Sequence, residues 1–236
     1  MFKTFATAAL AVAATGIAHA TTTVLFEDFE DSTVTYTTNV PEFTDGFGDF
    51  FIRTDGSAIG TFVEYSGVQG SSFFAVMDID GDQSVEPVVQ TFSGLDITGL
   101  TSLELSILVA EDDSSDGNED WDAPDFVHID YSIDAGPVQS LLWFENDGST
   151  FNTEAFVDSN FDGTGDGAAL TDTFTEFTAA IAGTGSTLDL VITYQIDSGD
   201  EDIAIDNVTI TGVPEPASLA LLAAGLGVVG LRRRSA

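Results

Sequence analysis

The chain has 236 residues, with 40 acidic against 5 basic side chains, a net charge of −35 and no cysteine. That acid excess repels phosphate backbones and excludes nucleic acid as a partner, while the absence of thiols removes disulfides, thiolate metal sites and cysteine nucleophiles. A hydrophobic share of 43% with 19 phenylalanines is far too apolar for a solvated acidic tail, so the chain is expected to fold.

In chain order, Lys3, an apolar stretch over residues 5–17 and the small residues of Ala18-His19-Ala20 form the three parts of a secretory signal peptide. Residues 1–20 are read as that signal, removed by signal peptidase. Residues 21–212 form one domain, long enough to bury a sizeable core, and residues 213–236 form a separate tail.

Within the domain no long amphipathic helix is evident. Short segments of alternating polarity recur instead, separated by Asp, Gly, Ser and Asn clusters. Strands are expected at residues 23–26, 50–53, 62–65, 72–77, 88–92, 103–107, 127–133, 139–144, 173–181, 188–194 and 202–211. Acidic loops are expected over 111–125, 145–153 and 158–167. So many short strands in one domain predict an all-β, jelly-roll-type β-sandwich.

All the acidic residues except Glu215 lie within 21–212, where Arg53 is the single lysine or arginine. Ion pairs within the domain cannot balance that charge; solvent, salt or bound divalent cations must. Asp158-Ser159-Asn160-Phe161-Asp162-Gly163 sets oxygen ligands at alternate positions before a glycine, the first half of a loop that curls around calcium, with Asp166 available as a further ligand. Ala169 stands where such a loop would carry a bidentate Glu, so it is not an EF-hand. Asp78-Ile79-Asp80-Gly81-Asp82 is a weaker version of the same spacing. The acidic run over 111–125 is read as an extended loop.

Catalytic patterns are sparse. His128 is the one histidine of the domain, its strand phase sets it opposite Val127, Ile129, Tyr131 and Ile133, and no Gly-x-Ser-x-Gly elbow exists to supply a nucleophile. So many carboxylates make any single pair uninformative about glycoside hydrolysis. Trp121, inside an acidic loop, is the candidate platform for stacking a sugar, whereas Trp143 between Leu142 and Phe144 is expected to pack against the sandwich.

The first strand finishes Phe26-Glu27-Asp28-Phe29-Glu30 and the last reads Asp202-Ile203-Ala204-Ile205-Asp206-Asn207. These ends resemble those of MAM domains and related carbohydrate-binding-like jelly rolls. The resemblance implies that the first and last strands lie side by side and that Glu30 and Asp206, with Asp28 or Glu27 nearby, meet at a cation. MAM domains usually carry disulfide cysteines, which this chain lacks, so the likeness extends to fold before function.

The tail runs Val213-Pro214-Glu215-Pro216, an apolar segment over 217–231 interrupted by Ser218, and Arg232-Arg233-Arg234. Prolines end the preceding strand, the apolar run enters hydrocarbon as a helix, and the arginines stay cytoplasmic. The run is shorter than the ~20 residues that cross a bilayer untilted. Hinge, apolar segment and positive stop resemble the PEP-CTERM sorting signal of Gram-negative bacteria. That resemblance implies an inner-membrane-anchored precursor, cleavage by an exosortase, and delivery to the cell surface or extracellular matrix.

The expectation is therefore an exported, calcium-stabilised, non-enzymatic β-sandwich with a structural or adhesive role, possessing carboxylates that bridge calcium to exopolysaccharide. Two readings remain open beside it: a lectin-like carbohydrate-binding module working through Trp121, and a glycoside hydrolase.

Overall fold

A computed structural model describes residues 20–82, 87–112, 121–123, 125–149 and 153–215. Residues 1–19 of the segment 1–20 read as a signal peptide, most of the acidic run at 113–120, and the tail from Pro216 through Arg232, Arg233 and Arg234 lie outside the described residues. Among the described residues no helix is long and apolar enough to cross a membrane.

The described chain forms β1 (Thr22–Glu27), β2 (Thr37–Thr38), β3 (Phe43–Thr44), β4 (Phe50–Thr54), β5 (Phe73–Met77), a single turn α1 (Ile79–Asp82), β6 (Val88–Asp96) and β7 (Leu100–Ala110). It continues through β8 (Phe126–Ile133), β9 (Gln139–Glu145), β10 (Phe156–Asp158), β11 (Thr175–Ile181), β12 (Thr187–Gln195) and β13 (Asp202–Pro214). One antiparallel sheet runs β11-β7-β13-β5-β4-β3, with β1 also paired to β13, and the other runs β10-β9-β8-β12-β6-β2. The strands face each other as a jelly-roll-type sandwich, as the alternation predicts.

Alternation places the core. Leu105, Ile107 and Val109 of β7, Val127, Ile129 and Tyr131 of β8, and Leu190, Ile192 and Tyr194 of β12 are buried together between the sheets. Their alternate neighbours face outward, which is the period-2 logic of a half-buried strand. At ~25 cal/mol per Å² of apolar surface, this interior supplies the main drive to fold.

β5 breaks the rule, because all five of its residues are buried. Phe74 and Val76 point between the sheets, while Phe73, Ala75 and Met77 join Phe50, Ile59, Val63 and Phe174 in a second cluster on the other side. A strand covered on both faces reads as an unbroken apolar run. Residues 62–65, expected as a strand, belong to this cover: Val63 packs in the second cluster and the Tyr65 hydroxyl donates to Asp202 Oδ1.

β13 holds the sheet together, because β7 lies along one edge while β5 (at residues 202–205) and β1 (at residues 208–212) share the other. First and last strands are therefore neighbours, as the resemblance to MAM-like jelly rolls implied. β13 also continues past the expected boundary at residue 212, with Pro214 opposite Leu100 and the Glu215 N–H donating to the Gly99 carbonyl at 2.9 Å. Pro214 is tolerated as the terminal residue of the strand, where no ladder donor is needed.

Candidate cation centre

One end of the sandwich gathers acids because five strands begin or finish there. Met77 lies opposite Asp202, Ala204 opposite Ala110, and Gln195 opposite Phe126. The Ile79 N–H donates to the Ile196 carbonyl at 3.0 Å, tying the exit of β5 to the exit of β12 across the two sheets. The turns at these ends carry Asp78, Glu111, Asp112, Asp125, Asp197, Glu201 and Asp202.

Three of them converge. Asp125, Asp197 and Glu201 each bring a carboxylate oxygen within 4.8 Å of the other two. Asp125 and Glu201 are only 1% and 2% exposed, while Asp197 faces solvent. Backbone donors fix two of the carboxylates. Glu201 Oε2 accepts the N–H groups of Asp197 and Ser198, both at 2.9 Å, and Asp125 Oδ2 accepts the Asp122 N–H at 2.7 Å. Asp125 Oδ1 is buried with no hydrogen-bond partner.

A buried acceptor of this kind costs about 1–3 kcal/mol unless something else occupies it. Burial pushes the Asp125 carboxyl up to about 7, with the charges of Asp197 and Asp122 adding to it against opposing bonds from the Asp122 N–H and the Glu201 carboxyl. Glu201 rises further, to about 9, through burial and then the charge of Asp125, and Asp197 is raised by burial, Asp80 and Asp122. Carboxylates pressed together out of water resist ionisation unless a cation joins them. Arg53 is not that cation, because its Nη1 donates to the Asp31 carbonyl on another part of the surface. An all-oxygen donor set with one orphaned buried oxygen fits a hard metal ion.

The surroundings extend the negative field. Asp202, 4% exposed, accepts the Tyr65 hydroxyl and the Asp112 N–H, the latter at 3.1 Å. Asp78 is pushed up to about 7 by partial burial, by a bond to Asp80 and by the charge of Asp49.

The residues singled out from the sequence fare differently. Asp28 and Glu30 follow β1 and Asp206 sits in β13, at the same junction. Asp206 is fully buried and pushed up to about 6, chiefly by burial, with Glu30 and Asp28 adding to it. Each carboxylate is nevertheless turned onto backbone donors. Asp206 accepts from Gln69 and Asn207 at 3.0 and 2.7 Å, Glu30 from Ser71 and Ser72 at 2.6 and 2.7 Å, and Asp28 from Glu30 at 3.2 Å. Among the described residues they do not close into a triad as tight as that at Asp125.

The expected calcium loop is also self-capped. Asp158 belongs to β10, opposite Trp143, and is 1% exposed. Its oxygens accept the N–H groups of Asn160, Phe161 and Gly163 at 3.1, 2.7 and 2.8 Å. Asp166 accepts from Ser159 and from the Asn160 side chain at 2.9 and 3.2 Å, and Asp162 stays outside this network, exposed. The alternate spacing lets these carboxylates cap their own turn, a use of Asp and Asn common in tight loops.

Trp121 corrects the sugar-platform reading. It is 0% exposed and lies in the main core, with its carbonyl accepting the Thr153 hydroxyl at 3.0 Å, so neither ring face can receive a ligand. His128 does lie on the outer face of β8, stacked between Phe126 and Trp143 with ring centroids 4.1 and 3.7 Å away, and its Nε2 meets Glu145 Oε1 at 2.5 Å.

Sequence reasoning missed Asp125, Asp197 and Glu201. Their one local signal is the Asp197-Ser198-Gly199-Asp200-Glu201 turn; the arrival of Asp125 from the far side of β8 is a tertiary event.

Residues 212–234 match the family model of the PEP-CTERM protein-sorting motif. No curated protein matches the chain in sequence. Among solved structures, the chain is similar to the K3 cleaved adhesin domain of Lys-gingipain from Porphyromonas gingivalis, with 15% identity, 81% of this chain and 99% of that chain covered, and a TM-score of 0.45. It is similar to the CBM22-1 xylan-binding domain of Xyn10C from Paenibacillus barcinonensis, with 14% identity, coverages of 84% and 99%, and a TM-score of 0.42. It is also similar to the Stig cyclase Fisc from Fischerella sp. TAU, with 13% identity, coverages of 83% and 100%, and a TM-score of 0.48. These likenesses are weak, and the sandwich is read from the chain's own strand pairing.

Proposed function

We propose that this chain is a calcium-stabilised structural or adhesive module of the cell surface or extracellular matrix, without catalytic activity. The sorting motif over residues 212–234 makes it an exported protein processed by an exosortase. The observation that carries the calcium reading is the Asp125–Asp197–Glu201 convergence around the orphaned Asp125 Oδ1. Calcium suits it because calcium takes six to eight oxygen ligands in flexible geometry, whereas zinc favours the nitrogen and sulfur donors that this site lacks. Waters and main-chain carbonyls complete such a shell.

The role follows from position. An ion held by the start of β8 and by the turn between β12 and β13 fastens both sheets at one end, in a chain that has no disulfide to do so. Outside the cell, bound calcium also offers remaining coordination positions to anionic polysaccharide. Calorimetric titration of the exported protein with calcium tests the reading. It predicts a saturable site that is lost in Asp125→Asn; absence of any binding overturns it.

A further inference from the structure

Beside the cation centre lies a cleft with a different chemistry. Five large apolar side chains stand exposed among the described residues, and two of them, Phe47 and Phe62 at 65% and 39% exposure, touch each other with ring centroids 4.9 Å apart and planes at 56°. They wall a cavity of about 490 Å³ whose polar lining is Asp49, Asp78 and Asp200.

The rings are held in place by the backbone beneath them. Asp45 Oδ1 accepts the N–H groups of Phe47 and Asp49 at 2.6 and 3.2 Å, closing the turn between β3 and β4. Phe62 lies across Gly60, where a Cβ would fall 2.2 Å from its Cε1 and 2.7 Å from the Phe47 carbonyl oxygen. Only glycine permits that approach.

Aromatic faces offer nothing to a hard metal ion, and Asp49, Asp78 and Asp200 form no converging triad of the kind found at Asp125. Ring faces do stack against the apolar C–H face of a sugar, and carboxylates give an organic ammonium charge-assisted hydrogen bonds. We infer that the Phe47–Phe62 cleft binds an amino sugar with a free amine, as in a polysaccharide of de-N-acetylated hexosamine. The amine lies among Asp49, Asp78 and Asp200 while the apolar C–H face of the pyranose stacks on Phe47. An open cleft with a broad, largely exposed ring suits a flat pyranose better than a thin lysine stem. The field of so acidic a domain attracts a cationic polymer and repels an anionic one that arrives without a bridging ion.

This deepens the adhesive part of the proposed function and rests on that reading for where the ligand is met, but it does not depend on the calcium site. The test is fluorescence anisotropy of a labelled glucosamine hexamer with the exported protein, at saturating calcium and physiological salt. The N-acetylglucosamine hexamer and hexalysine serve as comparators. The expected result is binding of the glucosamine hexamer about tenfold tighter than of either comparator, weakened about tenfold in Asp200→Asn and in Phe47→Ala, the latter with its melting curve unchanged. Asp125→Asn retains it, which separates failure of the cation centre from failure of the cleft. Equal binding of the acetylated hexamer, equal or tighter binding of hexalysine, or glucosamine binding indifferent to Phe47→Ala would each overturn the assignment.

Discussion

Asp125 and Glu201, one entering β8 and the other preceding β13, bring carboxylate oxygens within 4.8 Å of each other at 1% and 2% exposure. Among the described residues no cationic side chain joins them. The pair sets the sandwich's ion dependence, because the folded state must either protonate these groups or bind a cation to them.

Replacing one charge exposes that choice. In chelator, Asp125→Asn relieves the repulsion from Glu201 and Asp197 and stabilises the domain by about 1 kcal/mol, a rise of roughly 2–4 °C in melting temperature at this size. With calcium present the same variant melts below the unaltered protein, because the ion has lost a ligand. Paired thermal melts read both signs.

The pH dependence in chelator runs opposite to that of a salt-bridged protein. Asp78 and Asp125 are raised from 3.8 to about 7, and Glu201 from 4.5 to about 9. The folded state therefore holds protons that the unfolded chain has shed, and the stability these groups contribute is full below about pH 4 and lost as pH climbs through 7 and 9. Melting temperature should fall from pH 5 to pH 9 in chelator. Calcium, which displaces those protons and binds more tightly as pH rises, should flatten the decline.

The strands were legible because one-sided burial leaves a period of two, as in Val127, Ile129 and Tyr131 of β8. Residues 62–65 failed because they cover the outer face of β5 instead of pairing, and β2, β3 and β10 are too short to show a period. The acidic sites were less legible for a different reason. Asp158 and Asp166 have metal-ligand spacing, but the same spacing lets a carboxylate cap its own turn, and sequence cannot separate the two uses. Asp125 and Glu201 have no shared local pattern at all; the pairing of β8 with β12 brings them together. The sorting tail was legible because its order of proline, apolar run and arginines is one-dimensional, and residues 212–234 match the motif.

Trp121 should report on stability and not on ligand. Its burial in the main core predicts that Trp121→Ala costs about 3–5 kcal/mol, whereas Phe161→Ala at 40% exposure stays within about 0.5 kcal/mol. Urea midpoints at unchanged slope distinguish them.

Glu27 anchors the junction of first and last strands. At 3% exposure, its Oε1 accepts the Phe29 N–H at 3.0 Å, and its Oε2 accepts the Thr35 N–H and hydroxyl at 2.7 and 2.8 Å. Glu27→Ala strands these donors and should cost about 2–3 kcal/mol, with Glu27→Gln milder because one acceptor oxygen remains. Chemical denaturation of the three proteins checks the order.

Calcium dependence is tested most directly by the melting temperature of the exported protein at pH 8, in excess calcium and in excess chelator. The account predicts a transition that rises with calcium concentration by mass action, with the rise abolished in Asp125→Asn and restored when calcium replaces chelator in the unaltered protein. Identical melting curves in calcium and in chelator would contradict it.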